Sequence, residues 1–81
     1  MTEYGDSFNA AVAAELRAQR ARRQITVEQL TSLSGLGRTS VLNYLNAKRD
    51  IPMPAFMDLC RVLGVSPHEI FDAAEHAIEK R

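Results

Sequence analysis

Residues 34–50 read SGLGRTSVLNYLNAKRD. Two glycines bracket a leucine, a short amphipathic run follows, and two cations and an acid close the stretch. Gly35 suits the left-handed backbone that ends a helix, which residues with a side chain rarely adopt. Gly37 suits the cap of the next helix, where the lack of a side chain leaves room for close approach. From Arg38 to about Asn46, Val41, Tyr44 and Leu45 recur at i, i+3 and i+4 and form one apolar helical face. Arg38, Thr39, Ser40 and Asn43 occupy the leading polar face, which carries no charge after Arg38. Leu42 falls between the two faces, where it can cover the edge of the core, the favoured place, or meet a thymine methyl or a partner protein.

The neighbouring segments extend this pattern into a helical domain. Upstream, TVEQ at 26–29 is a capping box, in which the Thr26 hydroxyl and the Gln29 side chain satisfy each other's orphan amides. It opens a helix with Leu30 and Leu33 as its expected inner face, closed by Gly35. Further upstream, Asp6 or Ser7 is expected to cap a first helix that carries Phe8, Val12 and Leu16 and runs to about Arg23. Downstream, RDIPMP interrupts the helical pattern. Pro54 is expected at the first position of a fourth helix, where its missing N–H is no loss, with Phe56, Leu59, Cys60 and Leu63 facing inward and Gly64 at its end. SPHE at 66–69 is a second capping box with Pro67 at its first helical position. The fifth helix bears Ile70, Phe71, Ala74, Ala77 and Ile78. No long run alternates apolar and polar residues as a strand would. The expected fold is all-α: five helices joined by short connections in one compact domain over residues 1–81, with a helix-turn-helix at helices two and three.

Composition bounds the rest. A chain of 81 residues buries a small core, and with no Trp and three Phe that core must be largely aliphatic. The single cysteine, Cys60, excludes a disulfide within the chain and is expected to be a buried, inert thiol. No run of residues has the length and apolarity of a membrane span, and the N-terminus lacks a secretory pattern, so a soluble, cytoplasmic protein is expected. His68 and His76 lack partners at zinc-ligand spacing. No phosphate-cradling glycine loop and no Ser, His and Asp arrangement is discernible. Neither enzymatic activity nor a cofactor, metal or small-molecule ligand is expected. The net charge is zero, but residues 1–49 hold seven cations against four acids, and residues 50–81 three cations against six acids. The split predicts a basic and an acidic side. The other reading of Arg20, Arg22 and Arg23 is a solvated helix end complementing the helix dipole.

Three segments resemble the lambda-repressor/Cro (XRE-type) helix-turn-helix family. LRAQRARRQIT is similar to the end of its first helix and the entry to the second. LTSLSGLGRTSVLNYLNAKR is similar to its helix-turn-helix. PMPAFMDLCRVLGVSPHEIF is similar to its fourth helix and the LGVS ending into the fifth. The resemblance covers about Leu16 to Phe71 and implies a lambda-repressor-like domain that binds operator DNA through helix three.

The residues of that helix suit such a role. A helix entering the major groove presents its first turns to base edges, which here are Arg38, Thr39, Ser40 and Asn43. Arg38 can pair bidentately with guanine and Asn43 with adenine. Thr26, Val27 and Glu28, at the amino end of helix two, form a phosphate seat of free amides and positive dipole. Asn46, Lys48 and Arg49 are further phosphate candidates, with Arg20 and Arg23 on the flank.

The chain departs from the family at several positions. Val27 stands where many members have Gln. Leu45 stands where a helix-three Glu often pairs with an Arg of helix one, so Arg20 is either released to the surface, the favoured outcome, or satisfied elsewhere. Ala47 replaces a common Gly, which obliges Asn46 or Ala47 to take an awkward backbone angle. Thr31 replaces a common Ala, and Asp50 adds a negative charge beside the cations.

The expected function is a sequence-specific regulator of transcription, most simply a small phage- or bacterial-type repressor acting on double-stranded operator DNA. The alternative is an antitoxin or adaptor of the same fold whose main partner is a protein. The stripe ending in Ala74, Ala77 and Ile78 exceeds what a small core needs and is the expected association surface for a second copy, with a monomer as the other state.

Overall fold

In a computed structural model the chain folds into five helices, with residues 2–80 described. They are α1 (Glu3–Arg22), α2 (Val27–Ser34), α3 (Arg38–Leu45), α4 (Met53–Leu63) and α5 (Pro67–Glu79). No strand occurs among the described residues. α1 packs along α5 and also meets α3 and α4, while α2 lies against α3 and α4. Each helix places at least one residue in a single buried cluster: Leu16, Leu30, Val41, Leu45, Leu59, Leu63 and Ile70 among them. No helix can leave without uncovering the others.

Local chemistry sets the helix ends. The Thr26 Oγ1 accepts from the Gln29 amide at 3.0 Å, and the Gln29 Oε1 accepts from the Thr26 amide at 2.9 Å. The second capping box forms between Ser66 and Glu69. Gly35 and Gly64 close α2 and α4 with φ of 77° and 67°. α3 instead closes on Ala47, with φ of 56°. There the Lys48 amide donates to the Asn43 carbonyl at 2.9 Å and the Ala47 amide to the Tyr44 carbonyl at 3.2 Å. This double closure demands a left-handed residue, so of the two positions expected to bear the awkward angle it is Ala47 that does.

The two closures support opposite predictions. A Cβ added at Gly35 meets no atom within 4 Å, so Gly35→Ala costs only the left-handed backbone penalty of about 1–2 kcal/mol. Ala47→Gly removes a penalty of the same origin and raises stability by up to about 1 kcal/mol. Urea denaturation followed by far-UV circular dichroism measures both.

Several expectations are corrected. α1 begins at Glu3, earlier than a cap at Asp6 or Ser7 allows, because the Thr2 Oγ1 accepts from the Gly5 amide at 3.0 Å. Pro54 is the second residue of α4, with Pro52 as its cap. Leu33 is 62% exposed, and the inner position belongs to Ser34, one full turn beyond Leu30. The Ser34 Oγ donates to the Thr31 carbonyl and accepts from the Leu36 amide, each at 3.2 Å, so a buried hydroxyl stitches the turn between α2 and α3. Ala74 has no exposed surface, and Ile78 packs on the core of its own chain. Of the expected association stripe only Ala77 is exposed, because α1 already covers the inner face of α5. Cys60 is buried, and burial pushes its thiol up to about 11, so the nucleophilic thiolate is scarce at neutral pH.

Candidate nucleic-acid interface

α3 is anchored by Val41 and Leu45, which are buried, and by the half-buried Tyr44. At about 100° per residue, Thr39, Asn43 and Asn46 fall on the opposite side of the helix. Arg38 and Thr39 are exposed and Asn43 is half-buried. Ser40 lies round the flank, its hydroxyl 4.0 Å from where a Cβ on Gly37 would stand. Leu42 is half-buried, as a core-edge residue would be.

The head of α2 lies beside the start of α3. The Arg38 Nη2 sits 3.3 Å from the Glu28 Oε2, with both side chains exposed. A backbone hydrogen bond at the head of α2, and next the Arg38 guanidinium, hold the Glu28 carboxyl below its ordinary 4.5. Because the folded value is depressed, the contribution of this pair to stability is present above pH 4.5 and is lost as the pH falls through the lower folded value. The capping box engages the amides of Thr26 and Gln29. With the Glu28 amide turned to its own carboxylate, that of Val27 is the orphan donor at this helix end. The Glu28 carboxylate thus stands on the surface expected to seat a phosphate and is partly neutralised by a base-reading candidate.

The loop after α3 carries Asn46, Lys48 and Arg49, all exposed. It is fixed to α1 by contacts that the sequence reading did not anticipate. The Asn9 Nδ2 donates to the Arg49 carbonyl at 3.4 Å, and its Oδ1 accepts from the Ile51 amide at 3.1 Å. Arg17 donates from Nη1 to the Leu45 carbonyl, taking up an orphan acceptor at the end of α3. A signal for Asn9 exists in the sequence: Asn is a poor interior helix residue, and this one serves no cap. Arg17 offers no such signal, because a cation on a helix is unremarkable until its neighbour is placed.

The same geometry revises the arginine run of α1. Arg20 is not released to the surface. It is half-buried, its Nη1 donates to the Ile25 carbonyl at 2.8 Å, and its Nε is buried without a partner. Arg23 donates from Nε to the Leu63 carbonyl, joining the end of α1 to the end of α4. Arg22 stands 3.8 Å from Glu15. Of the cations of residues 1–49, Arg20 alone is half-buried and the rest are exposed, with Arg17 and Arg23 each also tied to a carbonyl of another helix.

A family model described as a helix-turn-helix domain matches residues 11–71. The chain belongs to the helix-turn-helix family. Among solved structures it is similar to the clp gene regulator ClgR from C. glutamicum, at 20% identity and a TM-score of 0.81, over 86% of this chain and 91% of that one. At that identity the likeness speaks to the fold, and it agrees with the XRE-type resemblance of the sequence. No curated protein matches. A helix-turn-helix domain is a DNA-binding module of transcriptional regulators, and in this one α2, the Gly35 turn and α3 are the family's namesake pair. Among the described residues no group of His, Cys, Asp or Glu could hold a metal, and no helix is long and apolar enough to cross a membrane.

Proposed function

We propose that this helix-turn-helix protein is a cytoplasmic, sequence-specific regulator that binds an operator in double-stranded DNA, most simply a repressor whose occupancy excludes polymerase. The observation that carries the reading is the exposed polar side of α3 with charged groups at both of its ends. On α3, held by the buried Val41 and Leu45, Thr39 and Asn43 point outward, Arg38 at its start is exposed and pairs with Glu28 at the head of α2, and Lys48 and Arg49 are exposed just past its end. Arg38 and Asn43 read base edges, with Thr39 contacting a thymine methyl or a phosphate and Ser40 at the margin. The amide of Val27, with Asn46, Lys48 and Arg49, holds phosphates, which position the helix without specifying sequence. Arg20 and Arg23 are left out of this set because their guanidinium groups are engaged by backbone carbonyls.

With Ala74 buried and Ile78 partly packed on its own core, the simplest form of this reading is a monomer on an asymmetric site, and a homodimer through the end of α5 is the other state. Selection of bound sequences from a random duplex pool tests this directly. An asymmetric consensus is expected. No enrichment would sink the sequence-specific reading, and a palindrome with half-sites about one DNA turn apart would replace the monomer by a dimer.

Lys48→Ala should weaken binding to every duplex alike and reduce the slope of log affinity against log salt by about one. Titrations of the selected site and a scrambled duplex, at several salt concentrations, measure it. Loss confined to the selected site would instead make Lys48 a base reader.

A further inference from the structure

The sequence contains five aromatic side chains, and four of them gather in one place. Tyr4 stacks on Phe8 with ring centroids 6.3 Å apart, Phe8 meets Phe71 at 5.8 Å, and Phe71 stacks on Phe56 at 4.9 Å. Phe8, Phe56 and Phe71 line an open groove of about 520 Å³ between the start of α1, the loop before α4 and α5. That volume lies within the range of about 300–1,000 Å³ typical of small-molecule sites. Two exposed carboxylates, Asp6 and Asp50, stand at its wall, and among the described residues no cationic side chain lines it. The helix ends that open here, those of α1 and α4, each contribute about half a positive charge. Two full negative charges outweigh them. Aromatic faces beside carboxylates attract a desolvated organic cation both by ring quadrupole and by charge.

We propose that this groove binds a small hydrophobic organic cation, an arylalkyl ammonium in chemical class, with its apolar body against Phe8 and Phe71 and its charge toward Asp6 and Asp50. This replaces the expectation of no small-molecule ligand, and it stands or falls independently of the DNA reading. The groove also contains Asn9, whose side chain holds the backbone of Arg49 and Ile51, so those amides report its occupancy.

The test is titration of the nitrogen-15-labelled full chain with 4-phenylbutylamine, an ammonium ion at neutral pH, and separately with 4-phenylbutyrate. Saturable shifts are expected at the amides of Phe8, Asn9, Ile51 and Phe71, with the ammonium binding about tenfold tighter than the carboxylate if each exposed carboxylate contributes a two- to five-fold gain. Asp6→Asn and Asp50→Asn, both at exposed positions and so compatible with folding, should each weaken the ammonium by that roughly two- to five-fold factor and leave the carboxylate no weaker. Equal or tighter binding of 4-phenylbutyrate overturns the proposal. So does an absence of saturation, a set of shifts centred elsewhere, or sedimentation showing that a second copy of the chain fills the groove.

Discussion

Leu59→Ala should lower the free energy of unfolding by about 2–5 kcal/mol. Leu59 is completely buried in α4, and α4 contacts α1, α2 and α5. The cavity therefore opens where four helices meet, and no single side chain can swing in to fill it without disturbing another helix. The total stability of a domain is about 5–15 kcal/mol, and a small core places this one toward the low end. The substitution removes a large share, enough at the upper estimate to leave a measurable unfolded fraction in water. Leu33→Ala deletes the same atoms from a side chain that is 62% exposed and should change stability by less than about 0.5 kcal/mol. Urea midpoints for the two variants measure the contrast. A larger loss at Leu33 than at Leu59 would mean that α2 faces the other way.

That contrast marks where the sequence was legible and where it was not. Helix existence followed from spacing and from caps whose chemistry is local. Thr26 with Gln29, Ser66 with Glu69, Gly35 and Gly64 each act within a few residues of themselves, and the inward residues of α4 follow from periodicity alone. The errors arise where a remote contact decides. Over eight residues, spacings of i+3 and i+4 fit equally well, and only the turn's need for a buried hydroxyl assigns the inner position to Ser34. The arginines of α1 resemble a DNA-facing patch in one dimension. Arg23's acceptor, the carbonyl of Leu63, lies 40 residues away, and Arg20's, that of Ile25, lies only five away but past the end of the helix. Ala74 resembles a spare contact until α1 is laid along α5. The polar face of α3 was readable, while the partner that holds Arg38 was not, because Glu28 is ten residues off and belongs to another helix.

That partner shapes the second large expected effect. Arg38→Ala should cost about 1–3 kcal/mol in binding to the selected site and relax one base position, with folding nearly unchanged. Asn43→Ala should cost a similar amount at a different position. The Arg38–Glu28 pair is exposed, and such pairs contribute only about 0–1 kcal/mol, so exchanging Glu28 for a guanine edge opposes binding weakly. Removing Arg38 has a second consequence. It leaves the Glu28 carboxylate uncompensated at the head of α2, facing the phosphates proposed to lie there, and this repulsion pushes the loss toward the upper end of the range. Glu28→Gln should act in the opposite sense on nonspecific duplex, tightening it by removing a negative charge. It also releases Arg38 from a fixed position, so the ratio of specific to nonspecific affinity narrows. In the Glu28→Gln background the loss from Arg38→Ala should shrink, and the double-mutant cycle isolates the coupling between the two residues. Additive losses on the selected site would mean that Glu28 does not position Arg38. An unchanged base preference in Arg38→Ala would remove Arg38 from the reading face and leave Asn43 and Thr39 to carry the specificity of α3.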